Sequence, residues 1–135
     1  FFLDPGELER ISGNPVRTDF RHPGDPGGLP SADAAVVAPA TYNTINKWAA
    51  GIADTFALST LAELTGARVP IAVLPFVNTS FAANAVFGRS VAELRAEGVR
   101  MLIGPGAFEP YPPGAGDTAA DQFPWHLAIE AVRRP

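Results

Sequence analysis

Two stretches of this chain repeat one device, and it restricts the fold more than any other feature. Residues 35–51 read AVVAPATYNTINKWAAG: an apolar run ends at Pro39, a polar turn carries Thr41, Asn43 and Thr44, and Ile45, Trp48, Ala49 and Ile52 follow at helical spacing. Residues 69–79, VPIAVLPFVNT, begin the same way, with an apolar run stopped by Pro75 and then the pair Asn78-Thr79. Each reads as strand, loop, helix. Strands alternating with helices predict an α/β domain with a parallel sheet and right-handed crossovers. In such sheets ligands sit beyond the carboxyl ends of the strands, so the two loops are expected to form two walls of one crevice. The plainer alternative is that these Asn and Thr residues only cap helices, each contributing about 1 kcal/mol.

Composition narrows the function. The 135 residues predict a single domain, and 47% hydrophobic content fits a folded core. A net charge of −4 with a single lysine, Lys47, argues against a nucleic-acid surface. The absence of cysteine excludes disulfides, thiolate nucleophiles and Cys-bound zinc. No apolar run has the length of a membrane span and no basic, then apolar, leader opens the chain, which predicts a cytoplasmic protein with no membrane partner.

Along the rest of the chain, Asp4-Pro5 opens a short helix that Gly13-Asn14 ends, and Val16–Phe20 is expected as a short strand. Residues 21–31 form a Pro/Gly-rich loop containing His22. A helix over Ala53–Leu64 is apolar on nearly every side and predicts an oligomer contact; a second over Phe87–Glu97 is amphipathic and stops at Gly98. Val99–Ile103 is a third strand. Nine of the 21 residues in Gly104–Pro124 are Gly or Pro, so this segment is expected to be a lid, a binding loop or a disordered stretch, before a last helix over Phe123–Val132. The apolar start at Phe1-Phe2-Leu3 gives the further expectation that the sequence begins inside a domain.

His22 and His126 belong to no metal-ligand spacing, and neither a nucleophile elbow nor a P-loop is present. Gly104-Pro105-Gly106 lacks the third glycine of a dinucleotide fingerprint. Imidazole is the side chain that titrates nearest neutrality, which keeps His22 as a candidate base, although a lone loop histidine is more often just surface.

The segment PATYNT (Pro39–Thr44), preceded by ADAAVVA and followed by INKWAAGIADT, resembles the PASANT region of the flavoprotein family that includes phosphopantothenoylcysteine and peptidyl-cysteine decarboxylases. Pro75-Phe76-Val77-Asn78 resembles that family's Pro-x-Met-Asn motif, with Val77 in place of Met, and the likeness spans Ala32–Ile103. The resemblance implies a three-layer Rossmann-like (flavodoxin-like) parallel sheet with helices on both faces, a homotrimer, and FMN bound near a subunit interface. It implies that Pro39, Ala40, Thr41 and Thr44 line the isoalloxazine and ribityl side, that Asn43 holds the carboxylate of a small substrate, and that Asn78 faces that substrate. The implied chemistry is oxidation of a C-terminal cysteine by FMN followed by loss of carbon dioxide. Asn43 and His22 are then the candidate catalytic residues.

The chain also departs from the family's pattern. Asp25 stands where the family's decarboxylases carry a histidine, with His22 out of register; the late cysteine proton donor is missing, as are the first strand and its Gly/Ser phosphate loop. Two alternatives therefore stand beside a flavin-dependent decarboxylase or oxidoreductase: a non-catalytic flavin-fold binding or regulatory module, and a flavin prenyltransferase. For the last, the loops offer only Thr41, Thr44, Thr79, Ser80 and the more remote Arg89 to a prenyl phosphate.

Overall fold

Strand β2 (Ile71–Pro75) is buried at all five positions, as a near-continuous apolar run should be when both faces of a parallel sheet are covered. In the computed structural model, which describes residues 3–25 and 30–133, it is the middle strand of three. β1 (Ala35–Ala40) runs parallel to it on one side and β3 (Arg100–Met101) parallel on the other. Ala35, Val36 and Val37 pair with Ile71, Ala72 and Val73; the register then shifts, and Ala40 meets Pro75. The cis peptide Ala38–Pro39 lies within that shift.

The pleat sends alternate β2 residues to two cores. Ile71 and Val73 join Val99 and Met101 under α2 (Tyr42–Ala49), α3 (Phe56–Gly66) and α5 (Ala85–Ala96), which contribute Ile45 and Trp48, Leu58 and Leu61, and Phe87, Val91 and Leu94. Leu74 faces the other way, against Phe108, Phe123 and Ala128 of α7 (Trp125–Arg133). Helices therefore cover both faces, and the expected three-layer α/β architecture is the one observed.

Local signals set most helix ends. Asp4 caps α1 (Pro5–Ser12) by accepting from Glu7 N at 2.8 Å, and Gly13 closes it at φ 69°, a left-handed conformation that suits glycine. α3 starts later than its apolar pattern suggests because Thr55 caps it, its Oγ1 accepting from Leu58 N at 3.2 Å. Ahead of it, Asp54 bonds Lys47 of α2 at 2.7 Å; the ammonium holds the Asp54 carboxyl below the ordinary carboxylate range. Leu58 and Leu61 are buried in the chain's own core, while Phe56 and Leu64 are half-buried, so α3 presents less apolar surface than its all-round pattern suggests.

Three expectations change. Val16–Phe20 forms no strand: the Val16 N–H donates to the Glu9 carboxylate at 2.8 Å, and no neighbouring strand pairs with the segment among the described residues. The second unit has two helices where one, over Phe87–Glu97, is expected: α4 (Thr79–Ala83) precedes α5, and Asn84 ends the first and caps the second, accepting from Val86 N at 2.9 Å. Gly104–Pro124 is not structureless. It contains α6 (Gly116–Asp121), an Ile103–Phe108 bridge and an Asn78–Tyr111 bridge that returns it to the sheet's carboxyl end.

The core location of Leu74 makes it a test of this layering. Leu74→Ala should lower unfolding free energy by about 2–5 kcal/mol, whereas Ile129→Ala, on the outer side of α7, should cost much less. Urea unfolding with an unchanged m-value checks both; equal losses would place the α7 interface elsewhere.

Candidate functional site

Parallel pairing places the ends of β1 and β2 side by side. Just past the Ala40–Pro75 pair, the Phe76 N–H donates to the Ala40 carbonyl at 2.8 Å, so the two loops that follow begin from a shared hydrogen bond. The first loop turns at once into α2. Thr41 is its cap: Oγ1 accepts from Thr44 N at 3.2 Å and lies 3.0 Å from Thr44 Oγ1. Asn43 is the second residue of α2, exposed and past the cap, so the capping alternative fits Thr41 and not Asn43.

In the second loop the roles differ. Asn78 is the cap of α4, its Oδ1 accepting from Phe81 N at 2.9 Å and its carbonyl from Ala82 N at 3.0 Å. Its oxygen is thus engaged, which leaves the Nδ2 amide as its remaining side-chain donor. The Gly/Pro-rich segment is fastened here too, with Thr79 N–H donating to the Tyr111 carbonyl at 2.8 Å.

Beside Pro39 lies an apolar slot of about 200 Å³ lined by Pro39, Phe76, Ala120, Phe123 and Trp125. Its walls are aromatic contacts. Phe76 packs 4.9 Å from Tyr111 and 5.6 Å from Phe123, and Phe123 meets the Trp125 ring edge-on at 4.8 Å. Burial pushes the Tyr111 phenol up from its ordinary value, so it stays protonated at neutral pH. On the α4 side, Tyr42 stacks on Phe81 at 4.6 Å and on Phe87 at 5.9 Å.

The two loops are electrically neutral. Residues 39–45 and 75–81 contain no Asp, Glu, Lys, Arg or His, so they act through amides, hydroxyls and ring faces. His22 is exposed in its own turn, its N–H donating to Asp25 Oδ2 at 2.6 Å, and no hydrogen bond or ring contact among the described residues joins it to either loop. Among those residues no group of His, Asp or Glu could hold a metal ion, and no helix is long and apolar enough to cross a membrane. Pattern reading missed Tyr42 and the Phe76, Phe123 and Trp125 slot. The available signal was the density of aromatics in and after the Gly/Pro-rich segment.

The Flavoprotein family matches residues 28–122, a span holding both loops, β1 to β3 and α2 to α6. The chain belongs to this family. A cysteine/cysteine sulfinic acid decarboxylase from an unknown prokaryotic organism is 34% identical over 114 residues, covering 79% of this chain and 30% of that protein. The coenzyme A biosynthesis bifunctional protein CoaBC of Mycobacterium tuberculosis is 36% identical over 107 residues, covering 75% of this chain and 24% of its own length. Among solved structures, the FMN-dependent cysteine decarboxylase SpaF superposes with a TM-score of 0.63 at 29% identity, over 87% of this chain and 70% of that one. The chain thus spans under a third of the length of these two sequence relatives. Membership agrees with the resemblance carried by Pro39–Thr44 and Pro75–Asn78.

In this Flavoprotein-family domain, Thr41 and Asn78 carry capping bonds and Asn43 does not. Thr41→Ala and Asn78→Ala should each cost about 1 kcal/mol of stability, and Asn43→Ala should change it by less than about 0.5 kcal/mol. Urea midpoints of the three variants check this; a loss at Asn43 equal to that at Thr41 would return Asn43 to the cap.

Proposed function

We propose that this chain binds FMN at the carboxyl end of its sheet and forms part of a decarboxylase acting on a small, cysteine-derived carboxylate, within a cytoplasmic trimer. The observation carrying this reading is the locked pair of loops, joined by Phe76 N–H and Ala40 C=O, with an apolar slot beside Pro39 and neutral donors beyond it. Membership of the family and the FMN-dependent cysteine decarboxylase SpaF support it.

The residues present fit the ring and ribityl portions of the flavin. A planar, largely apolar ring system suits the slot lined by Pro39, Phe76, Phe123 and Trp125, and the Thr41 and Thr44 hydroxyls suit a polyol, while the side chain of Ala40 is buried in the core and leaves only its backbone to line the flavin. When bound, the flavin supplies the two-electron acceptor for oxidation of the substrate. Asn43, exposed at the start of α2, offers an amide and the positive end of a helix dipole to a carboxylate, and Asn78 offers Nδ2 from the neighbouring loop. The protein's work is orientation and neutral hydrogen bonding from two loops, residues 39–45 and 75–81, that carry no charged side chain. His22 enters this reading only as a base brought from outside the crevice. For assembly, the support is exposed apolar surface at Ile52, Phe81 and Val86 on the α2, α4 and α5 side.

A second reading keeps the flavin and drops the turnover. The absence of any charged side chain from residues 39–45 and 75–81 favours a binding module. Titration of the protein with FMN, followed by visible absorbance, should give saturable binding with a shifted flavin spectrum; no saturation would overturn both readings. Asn43→Asp separates them further. It should leave flavin binding and the melting temperature nearly unchanged, while weakening carboxylate binding at least about 30-fold through like charge and a lost donor. Carboxylate binding that survives Asn43→Asp would remove that residue from the site.

A further inference from the structure

Asn43 and Asn78 stand on separate elements with unequal support. α2 is fixed in the core by buried Ile45 and Trp48, the latter also donating its indole N–H to Thr65 Oγ1 at 3.0 Å. α4 has five residues and buries none of them. A helix that short has too few internal hydrogen bonds to hold its place. It is tied at its start by the Asn78 cap and by Thr79 N–H on Tyr111, and at its end by Asn84. Along its length, the described ring contact is Phe81 lying 4.6 Å from Tyr42, the two rings inclined at 29°. Tyr42 in turn lies 5.9 Å from Phe87 at 17°. Three rings therefore run outward in order, Phe87 buried, Tyr42 half-buried and Phe81 46% exposed.

We propose that Tyr42 is a positioning residue that fixes the spacing between Asn43 and Asn78 by stacking α4 against the first turn of α2. Tyr42 precedes Asn43 directly, and Phe81 gives the N–H that Asn78 Oδ1 accepts, so the stack joins the residue before Asn43 to the residue hydrogen-bonded to Asn78. Its effect on catalysis rests on the reading that these asparagines hold a substrate carboxylate. Its structural half stands alone. The hydroxyl plays no part in a face-to-face contact, so the ring alone should suffice.

Amide hydrogen exchange tests the coupling in the absence of any ligand. Tyr42→Ala and Tyr42→Leu should each raise exchange at Phe81 and Ala82 about tenfold or more, while Ile45, bonded to Thr41 in α2, changes little; Tyr42→Phe should behave as wild type. With the flavin-loaded protein and L-cysteine as probe substrate, Tyr42→Leu should raise KM about tenfold with kcat within about threefold, and Tyr42→Phe should restore KM. Unchanged exchange in α4 with Tyr42→Leu overturns the proposal, as does a Tyr42→Phe variant as impaired as Tyr42→Leu. Wild-type protein that neither binds nor turns over cysteine would sink the functional reading, and the exchange measurement would still decide the coupling. Tyr42→Leu keeps the site filled, so the test stands even where Tyr42→Ala unfolds the chain.

Discussion

The parallel pairing of β1 with β2 is the constraint on which the rest depends. It needs β2 buried on both sides, which Ile71 through Pro75 satisfy, and it needs the register shift that brings Ala40 opposite Pro75. Once those ends meet, the Phe76–Ala40 hydrogen bond places two helix-initiating loops side by side. The pleat does the remaining work. By sending Val73 to the α2, α3 and α5 side and Leu74 to the α7 side, it recruits helices to both faces and leaves the strand ends as the place where loops and amides converge.

The character of the site follows from which groups are already spent. Thr41 and Asn78 give their side-chain oxygens to capping bonds, a use that stabilises the fold and aims whatever donors remain. Asn43 has no such duty. The neutrality of both loops means that a bound anion would be held by amides and a helix dipole, contacts that discriminate by geometry more than by charge. Beside them, Phe76, Phe123 and Trp125 form an apolar, aromatic surface.

Much of this was legible from residue order. Two apolar runs stopped by Pro39 and Pro75, each followed by Asn and Thr, located both strand ends, and PATYNT pointed to the family that the full comparison supports. Asp4, Gly13 and Gly98 marked helix ends correctly because caps are local. What stayed hidden depended on distant contacts. Val16–Phe20 has the alternation of a strand, yet a strand needs a partner edge, and Glu9 takes the Val16 N–H instead. α4 is too short to show a period, and the slot draws on residues 39, 76, 120, 123 and 125, which no window of sequence brings together. Nor could spacing tell that Thr41, two residues before Asn43, holds the cap.

The central claim is that the flavin ring lies against the slot beside Pro39, and the chain's two tryptophans report on it independently. Trp125 lines that slot at 44% exposure, while Trp48 is buried in the opposite core with its indole N–H on Thr65. In a titration with FMN followed by the two indole N–H resonances, the Trp125 signal should shift saturably and in step with the amides of Thr41, Thr44 and Phe76, while the Trp48 signal holds its position. FMN binding that leaves Trp125 unmoved, or that shifts Trp48 in its place, would contradict the account.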